Sequence, residues 1–231
     1  MPGSHFGRRA ALLGAAVVLT RPALAQRAWP AGRPIEIVVP FAPGGGMDVM
    51  ARTVAPFLVA RLPGARVVVI NRPGAGGQLG TEAVANAAPD GFTLGACATP
   101  TVLSQPIERP VRWRPAELTY LAQVVEDPCG LFVRPDSPLQ GLPDIPTYRE
   151  GGVDVVFSAG RGIFGPPGLP EGIRAAIEGA FEATFADPAW AEAAARAGLP
   201  LKPLVGAAYR EAALGGEAAL RALWSRRPWK E

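Results

Sequence analysis

Two glycine-rich stretches, each between an apolar run and a helical pattern, are the part of this sequence best suited to binding chemistry. The first spans Phe41 to Gly46 and the second spans Asn71 to Gly77. Glycine lets a backbone approach a ligand closely, and the free N–H groups of a first helical turn attract anions. Two such helix starts on consecutive strand–helix units predict one anion site built from both.

Two charged residues accompany these loops, and each has two interpretations. Asp48 falls in the first turn of the helix after the first loop, where a carboxylate meets the positive end of the helix dipole. It is either a helix cap or a ligand contact. Arg72 is the cation of the second loop, and it is either a solvated or structural side chain or a direct partner of the ligand.

The first 25 residues have the features of an export signal. Arg8 and Arg9 precede a short apolar run, and Ala23 to Ala25 forms a small–x–small cleavage site. The alternative is a membrane anchor, but the run is too short to span a bilayer. The paired arginines match the twin-arginine pattern only loosely. We therefore expect cleavage after Ala25 and an exported protein.

Removal of this leader leaves a chain with no net charge and no histidine. Of the 23 Lys and Arg residues, Arg8, Arg9 and Arg21 lie in the leader, so 20 basic residues face 20 acidic ones. That balance gives no support for a nucleic-acid partner. His5 is the single histidine, so the mature chain is poorly suited to a zinc site or a Ser-His-Asp triad. We expect no catalytic residue, no metal and no cofactor.

The two cysteines are Cys97 and Cys129. In an oxidising compartment, a disulfide between them would close a loop of about 30 residues and contribute roughly 3–4 kcal/mol. Two buried free thiols explain the residues equally well, because sequence does not reveal whether the two Cα atoms approach closely enough.

The first half of the chain predicts an α/β unit. Strands predicted at 35–41, 66–70 and 92–97 alternate with helices, which implies a parallel sheet with right-handed crossovers. Ligands of such sheets bind beyond the carboxyl ends of the strands, where both glycine loops lie. Pro56 lies inside the first helix and is expected to kink or split it.

The second half is predicted to be irregular and then helical. Residues 99–115 are rich in Pro, Arg and Trp and are expected to form a long surface connector. Short strands are predicted at 119–125, 130–133, 153–157 and 162–165. Helices are predicted at 171–185, 189–197 and 207–224.

Several blocks of residues resemble one family, the extracytoplasmic solute receptors of tripartite tricarboxylate transporters, also called the Bug family. The matching blocks are residues 29–30, 33–46, 48, 51–52, 71–77, 80, 89–94, 142–147, 162–170, 187–188 and 198. The resemblance implies a monomeric periplasmic binding protein with two α/β lobes that close on a small carboxylate. It also implies a partner, the membrane permease of such a transporter.

In this family the ligand carboxylate is held largely by backbone N–H groups and waters rather than by arginine. The family's ligand-binding positions match both glycine loops of this chain. The resulting ligand-binding residues are Phe41, Ala42, Pro43, Gly44, Gly45, Gly46 and Asp48 in the first loop, and Asn71, Pro73, Gly74, Ala75, Gly76 and Gly77 in the second.

The chain departs from the family in its second lobe. After Pro138 the family continues for several dozen residues, including a glycine- and serine-rich loop that faces the site, whereas this chain passes almost directly to Leu142. Ser158 to Gly162 superficially resembles that loop, but its neighbours place it in the return segment, so no role is transferred to it. The expected fold is periplasmic-binding-protein-like, with one complete parallel-sheet α/β lobe and a truncated second lobe.

This comparison predicts four segments. They are a signal peptide at 1–25, a first α/β lobe at 26–118, a hinge and second-lobe remnant at 119–157, and a C-terminal segment at 158–231 that packs on the first lobe. A ligand clamped on one lobe keeps much of its water, so we expect weak binding.

Two other functions are considered. A degenerate paralogue that no longer binds solute, or a gene-model truncation, would also leave one lobe intact. A dinucleotide-binding oxidoreductase is suggested by Gly74, Gly76 and Gly80 after a strand, which is weak evidence alone. Asn71 to Pro73 separates that strand from the glycines, and export removes the chain from the NAD pool.

Overall fold

The computed structural model describes residues 29–127, 134–138, 159–226 and 228. The predicted leader, Cys129 and the strands predicted at 130–133 and 153–157 lie outside these residues. Within the described ranges, no helix is long and apolar enough to cross a membrane.

Six strands form one sheet in the order β2-β1-β3-β5-β4-β6. The strands are β1 (Ile35–Val39), β2 (Val67–Asn71), β3 (Thr93–Ala98), β4 (Thr119–Asp127), β5 (Ala159–Gly165) and β6 (Leu201–Val205). Strand β1 pairs in parallel with β2 and β3, whereas β5 is antiparallel to both β3 and β4, and β6 is antiparallel to β4. The parallel arrangement predicted for the first three strands is confirmed, and the sheet as a whole is mixed.

Seven α-helices connect and cover the strands. They are α1 (Gly46–Arg61), α2 (Gln78–Ala85), α3 (Thr99–Glu108), α4 (Glu171–Phe185), α5 (Pro188–Arg196), α6 (Ala207–Leu214) and α7 (Glu217–Arg226). Helix α1 packs against α4 and α5, so the C-terminal segment covers the first βα unit.

Alternate side chains of β1 contribute to two apolar cores, one on each face of the sheet. Ile35, Ile37 and Val39 face a core that includes residues of α1, α4 and α5. Val38 faces the opposite layer, where it packs with residues such as Cys97 and Tyr209. Successive strand residues point to opposite faces, so one strand contributes to both cores of a helix–sheet–helix sandwich.

The sheet topology creates a crevice at one end of the strands, where ligands of such sheets bind. From β1 the chain passes through α1 to β2 on one side, and then through α2 to β3 on the other side of β1. Such a reversal leaves a crevice at the carboxyl ends of the strands. Because β5 is antiparallel to β3, its first residues lie at this same edge, with Arg161 paired to Ala98.

Strand β4 lies in the same sheet as β1 to β3, so the boundary predicted after residue 118 crosses one continuous sheet. Strand β5 brings the chain back between β3 and β4. Most of the segment predicted as a second-lobe remnant, residues 128–133 and 139–157, is outside the described ranges.

The surface connector predicted at 99–115 is wrong over its first part, because Thr99–Glu108 is helix α3. Pro100 lies in the first turn, where its missing N–H costs no helical bond. Pro106 lies near the end, and the carbonyl of Val102 that it leaves without a helical donor instead accepts a hydrogen bond from Trp113 Nε1 at 3.1 Å. Trp113 thereby replaces the bond that proline removes.

Three other expectations are corrected. Helix α1 runs without a break through Pro56, so the proline does not split it. The predicted last helix is two helices separated by Gly215 and Gly216. Strand β6 was not predicted. It contains Pro203 and lies at the sheet edge, which is the position where a strand tolerates proline.

Cys97 is a free, fully buried thiol. Its Sγ lies 3.2 Å from the hydroxyl oxygen of Tyr209, and burial raises the pKa of the thiol to about 12. This environment agrees with a buried free thiol at Cys97, one of the two states left open by the sequence.

Replacing Ile37 by alanine tests the two-layer core. Ile37 is fully buried in the middle of β1, so Ile37→Ala should lower the free energy of unfolding by about 2–5 kcal/mol in urea denaturation. Val68→Ala, on the half-exposed face of the neighbouring strand β2, is the matched control and should cost less than about 1 kcal/mol. Equal losses for the two variants would contradict this packing.

Candidate functional site

The first glycine loop delivers the chain from the end of β1 to the N-terminus of α1. Gly45 is the N-cap residue of α1. As a glycine, it has no side chain that could cap the helix. The first bond of this helix joins the Val49 N–H to the Gly45 carbonyl at 2.9 Å, so the preceding N–H groups, from Gly46 to Asp48, have no helical acceptor. The helix therefore presents its positive end to the surface.

Asp48 does not cap this helix, although it lies in its first turn. Its carboxylate accepts hydrogen bonds from the Gly44 N–H at 2.9 Å, from Arg52 Nε at 2.9 and 3.0 Å, and from Asn71 Nδ2 at 2.9 Å. Asn71 Nδ2 also donates to the carbonyl of Phe41 at 3.0 Å. The carboxylate therefore ties the two predicted loops to each other.

These contacts keep Asp48 ionised. The hydrogen bond from Arg52 is the largest influence, with further bonds from Gly44 and Asn71, and together they outweigh burial and lower the pKa of the carboxyl to about 2. Both carboxylate oxygens are already engaged by protein donors. Asp48 is therefore an internal anion that shapes the site.

The second loop is built for packing. A Cβ atom at Gly80 would lie 2.7 Å from the Pro40 backbone, and one at Gly77, whose φ is +95°, would lie 3.0 Å from the Phe41 ring. Glycine at these positions lets α2 lie against the end of β1. The carbonyl oxygens of Ala75 and Gly76 accept hydrogen bonds from the side chains of Arg109 and Gln105, at 2.8 and 2.7 Å respectively.

A cavity of about 490 Å³ lies at the N-terminus of α1. Among the described residues, its lining is Phe41, Gly45, Gly46, Met47, Asp48, Asp127 and Arg161. The cavity thus joins the first loop to the end of β4 and the start of β5, which the sheet register brings to the same edge.

The predicted site residues fall into two groups. Phe41, Gly45, Gly46 and Asp48 line the cavity, while Ala42, Pro43 and Gly44 lie beside it and are exposed. The six residues predicted from the second loop do not line this cavity. Asn71 reaches it indirectly through its bond to Asp48. Arg72 is exposed and is not part of the lining either.

Arg161 and Asp127 were not predicted as site residues. Arg161 Nη2 donates to Asp127 Oδ1 at 2.5 Å, and the Arg161 side chain is only 12% exposed. No sequence signal links the two residues, because their meeting depends on the antiparallel register of β4 and β5. The one available hint was the glycine-flanked arginine in residues 158–162.

The described residues contain no cluster of three or more His, Cys, Asp or Glu side chains that could hold a metal. The charged groups of the cavity are instead one guanidinium, two carboxylates and the positive end of a helix. With Asp48 paired to Arg52 and Asp127 paired to Arg161, the positive end of α1 is the remaining group of this lining that is suited to an anion.

Solved structures that resemble this chain indicate its class of protein. A TctC solute-binding protein from Polaromonas superposes with a TM-score of 0.71 at 19% identity, over 86% of this chain and 100% of that one. The MatC protein from Rhodopseudomonas palustris, solved with bound malate, superposes with a TM-score of 0.56 at 22% identity, over 84% of this chain and 97% of that one. The fold is therefore that of periplasmic solute-binding proteins.

Sequence comparison gives the family. Residues 50–144 match the tripartite tricarboxylate transporter family receptor. A UPF0065 protein encoded in the gbd 5′ region of Cupriavidus necator is 32% identical over 73% of this chain and 50% of its own length. Protein BugT of Bordetella pertussis is 58% identical over 27% of this chain and 19% of its own length. The predicted resemblance is confirmed: this chain is a relative of the tripartite tricarboxylate transporter receptors.

Two facts bear on the function that this relationship implies for the chain. The family and the fold are those of solute-binding proteins of transport systems, not of enzymes. The chain spans about half the length, or less, of the curated relatives it matches.

The Asp48 network makes a pH-dependent prediction. A carboxyl whose folded-state pKa lies below its unfolded value stabilises the protein above about pH 4, and this contribution disappears as the pH falls toward 2. Asp48→Asn should therefore lower the free energy of unfolding at pH 7 by about 1–2 kcal/mol, allowing for screening through half-exposed Arg52.

Urea denaturation at pH 7 and at pH 3 measures this effect, and the difference between wild type and Asp48→Asn should shrink at the lower pH. Asp136→Asn, which removes the carboxylate of an exposed ion pair with Arg134, is the control and should change stability by less than about 0.5 kcal/mol. A difference that stays constant between the two pH values would contradict the network.

Proposed function

We propose that this chain is a periplasmic solute receptor that binds a small carboxylate in the cavity at the N-terminus of α1. The observation that carries the proposal is that Gly46, Met47 and Asp48, whose N–H groups have no helical acceptor, line a cavity of about 490 Å³. A helix N-terminus offers an anion hydrogen-bond donors and a favourable dipole together. The cavity is also large enough for a small organic acid.

The comparisons support this choice of ligand. The MatC protein, which shares the fold, was solved with malate, and another protein of the same fold from Rhodopseudomonas palustris was solved with adipate. Both ligands are small dicarboxylates. We take the same chemical class as the ligand of this chain, and the particular acid is left to experiment.

The role of Asp48 follows from its contacts. Its carboxylate holds Gly44, Arg52 and Asn71, which fixes the path of the loop that enters α1. A loop held in its binding conformation loses less conformational freedom when the ligand arrives. The second loop thus serves the site mainly as a support, through Asn71.

We expect weak binding. In the described residues the cavity is lined by loop 41–48 and by the ends of β4 and β5, and a ligand there keeps part of its hydration. A dissociation constant between about 10 μM and 1 mM is consistent with such a site. The partner proposed from the family is the membrane permease of a tripartite transporter, and the receptor is proposed to be a monomer.

Calorimetric titration of the exported chain with malate and adipate tests the proposal, with the uncharged diamide of each acid as the ligand control. Binding of the acids without the diamides supports carboxylate recognition. Failure of every carboxylate to bind would favour a paralogue that has lost solute capture. Nanomolar affinity would leave carboxylate recognition intact and contradict the proposed weakness.

Gly46→Ala should weaken binding in the same titration. A Cβ atom at this position would overlap Nη1 of Arg161, so the guanidinium would have to move away from the first turn of α1. Gly179→Ala is the matched control, because this helical glycine of α4 has no atom within 4 Å of a new Cβ, and it should bind as wild type does. Wild-type affinity in Gly46→Ala would exclude this cavity as the binding site.

A further inference from the structure

Arg161 lies beside the positive end of α1. Its guanidinium lies so close to Gly46 that a Cβ atom there would overlap Nη1. Gly46 is the first residue of α1, where the helix dipole is positive. A cation at this end of a helix is repelled, and the ion pair with Asp127 offsets that repulsion.

The hydrogen bonds of Arg161 are incomplete. A guanidinium carries five N–H donors. Nη2 donates to Asp127, whereas Nε is shielded from solvent and has no acceptor among the described residues. Burying a charged group without its hydrogen-bond partners is costly. The side chain is therefore held in the cavity wall with donor capacity to spare.

Arg61, at the opposite end of α1, provides a comparison with Arg161. Arg61, at the C-terminal end of α1, also makes a 2.5 Å ion pair, with Asp187, and its side chain is 19% exposed. There, however, the dipole favours a cation, and Arg61 Nη1 additionally donates to the Phe57 carbonyl at 3.2 Å. Arg161 has neither advantage at the opposite end.

We propose that Arg161 binds the ligand carboxylate directly, and that Asp127 is a positioning residue that holds the guanidinium against the first turn of α1. This inference rests on the proposed function and adds a charged side chain to the site. A carboxylate that contacts both the guanidinium and the N–H groups of Gly46 to Asp48 receives hydrogen bonds from two positive groups. Such an ion pair carries charge-assisted hydrogen bonds, the stronger kind in proteins.

Gly46 and Asp127 explain how the arginine reaches the ligand. The missing side chain at position 46 leaves the space that the guanidinium approaches. Asp127 engages Nη2, which leaves Nη1 on the side of Gly46. This assignment departs from the family expectation that backbone groups and waters, rather than an arginine, hold the carboxylate.

Calorimetric titration with malate tests the inference on wild type, Arg161→Gln, Arg161→Lys and Arg61→Gln. Arg161→Gln should weaken binding by about tenfold to a hundredfold, since it removes a charge-assisted pair. Arg161→Lys should bind with intermediate affinity, because it keeps the charge but not the planar fork. Arg61→Gln removes the matched ion pair at the other end of α1 and should leave the affinity unchanged.

The salt dependence of binding separates a direct role from a structural one. Malate affinity of the wild type should fall between 20 mM and 300 mM salt, and the fall should be smaller in Arg161→Gln. Thermal melting checks that each variant is folded. If Arg161→Gln does not fold, the intermediate affinity of Arg161→Lys and the salt dependence of the wild type decide the question.

The outcomes distinguish this inference from the proposed function. If wild type and Arg161→Gln bind malate equally well, the carboxylate receptor stands and the role of Arg161 is wrong. Equal affinity of Arg161→Lys and wild type, with no salt dependence, also overturns it. If the wild type binds no carboxylate at all, the proposed function fails, and the inference fails with it.

Discussion

The site depends on one buried carboxylate. Asp48 accepts hydrogen bonds from Gly44 in its own loop, from Arg52 one turn along α1, and from Asn71 at the end of β2. Apart from this anion, the bond from Asn71 Nδ2 to the Phe41 carbonyl also joins the loop that enters α1 to the end of β2. Asp48 is paired with Arg52 and Asp127 with Arg161, so neither pair adds net charge, and the N-terminus of α1 is the remaining positive group among the described residues of the cavity.

Local sequence was sufficient to predict the elements in which pattern and propensity agree. The three parallel strands, the helix after each of the first two, and α4 have apolar runs or apolar faces bounded by turn residues, and the structure confirms them. Helix α3 was missed because Pro100 and Pro106 indicate a connector when considered alone. The hydrogen bond from Trp113 that compensates for Pro106 is a tertiary contact, and no local pattern announces it.

The candidate site likewise has parts that the sequence predicts and parts that it does not. The glycine loop before α1 was predictable because glycine, proline and a helical pattern follow one another in sequence. The second loop carries a similar signal, and Gly77 and Gly80 there permit α2 to contact Pro40 and Phe41. Glycine spacing alone does not distinguish close packing from ligand approach. Arg161 and Asp127 were beyond prediction, because they are 34 residues apart and meet only through the register of β4 and β5.

The proposed carboxylate site lies at the first turn of α1. The most direct measurement is a ¹H–¹⁵N NMR titration of the exported chain with malate, which reports on each backbone amide. We expect progressive shifts at Gly46, Met47 and Asp48, with smaller changes at Gly76 and Gly77 of the second loop. Shifts confined to the second loop, or none at residues 46–48 while malate binds, would contradict it.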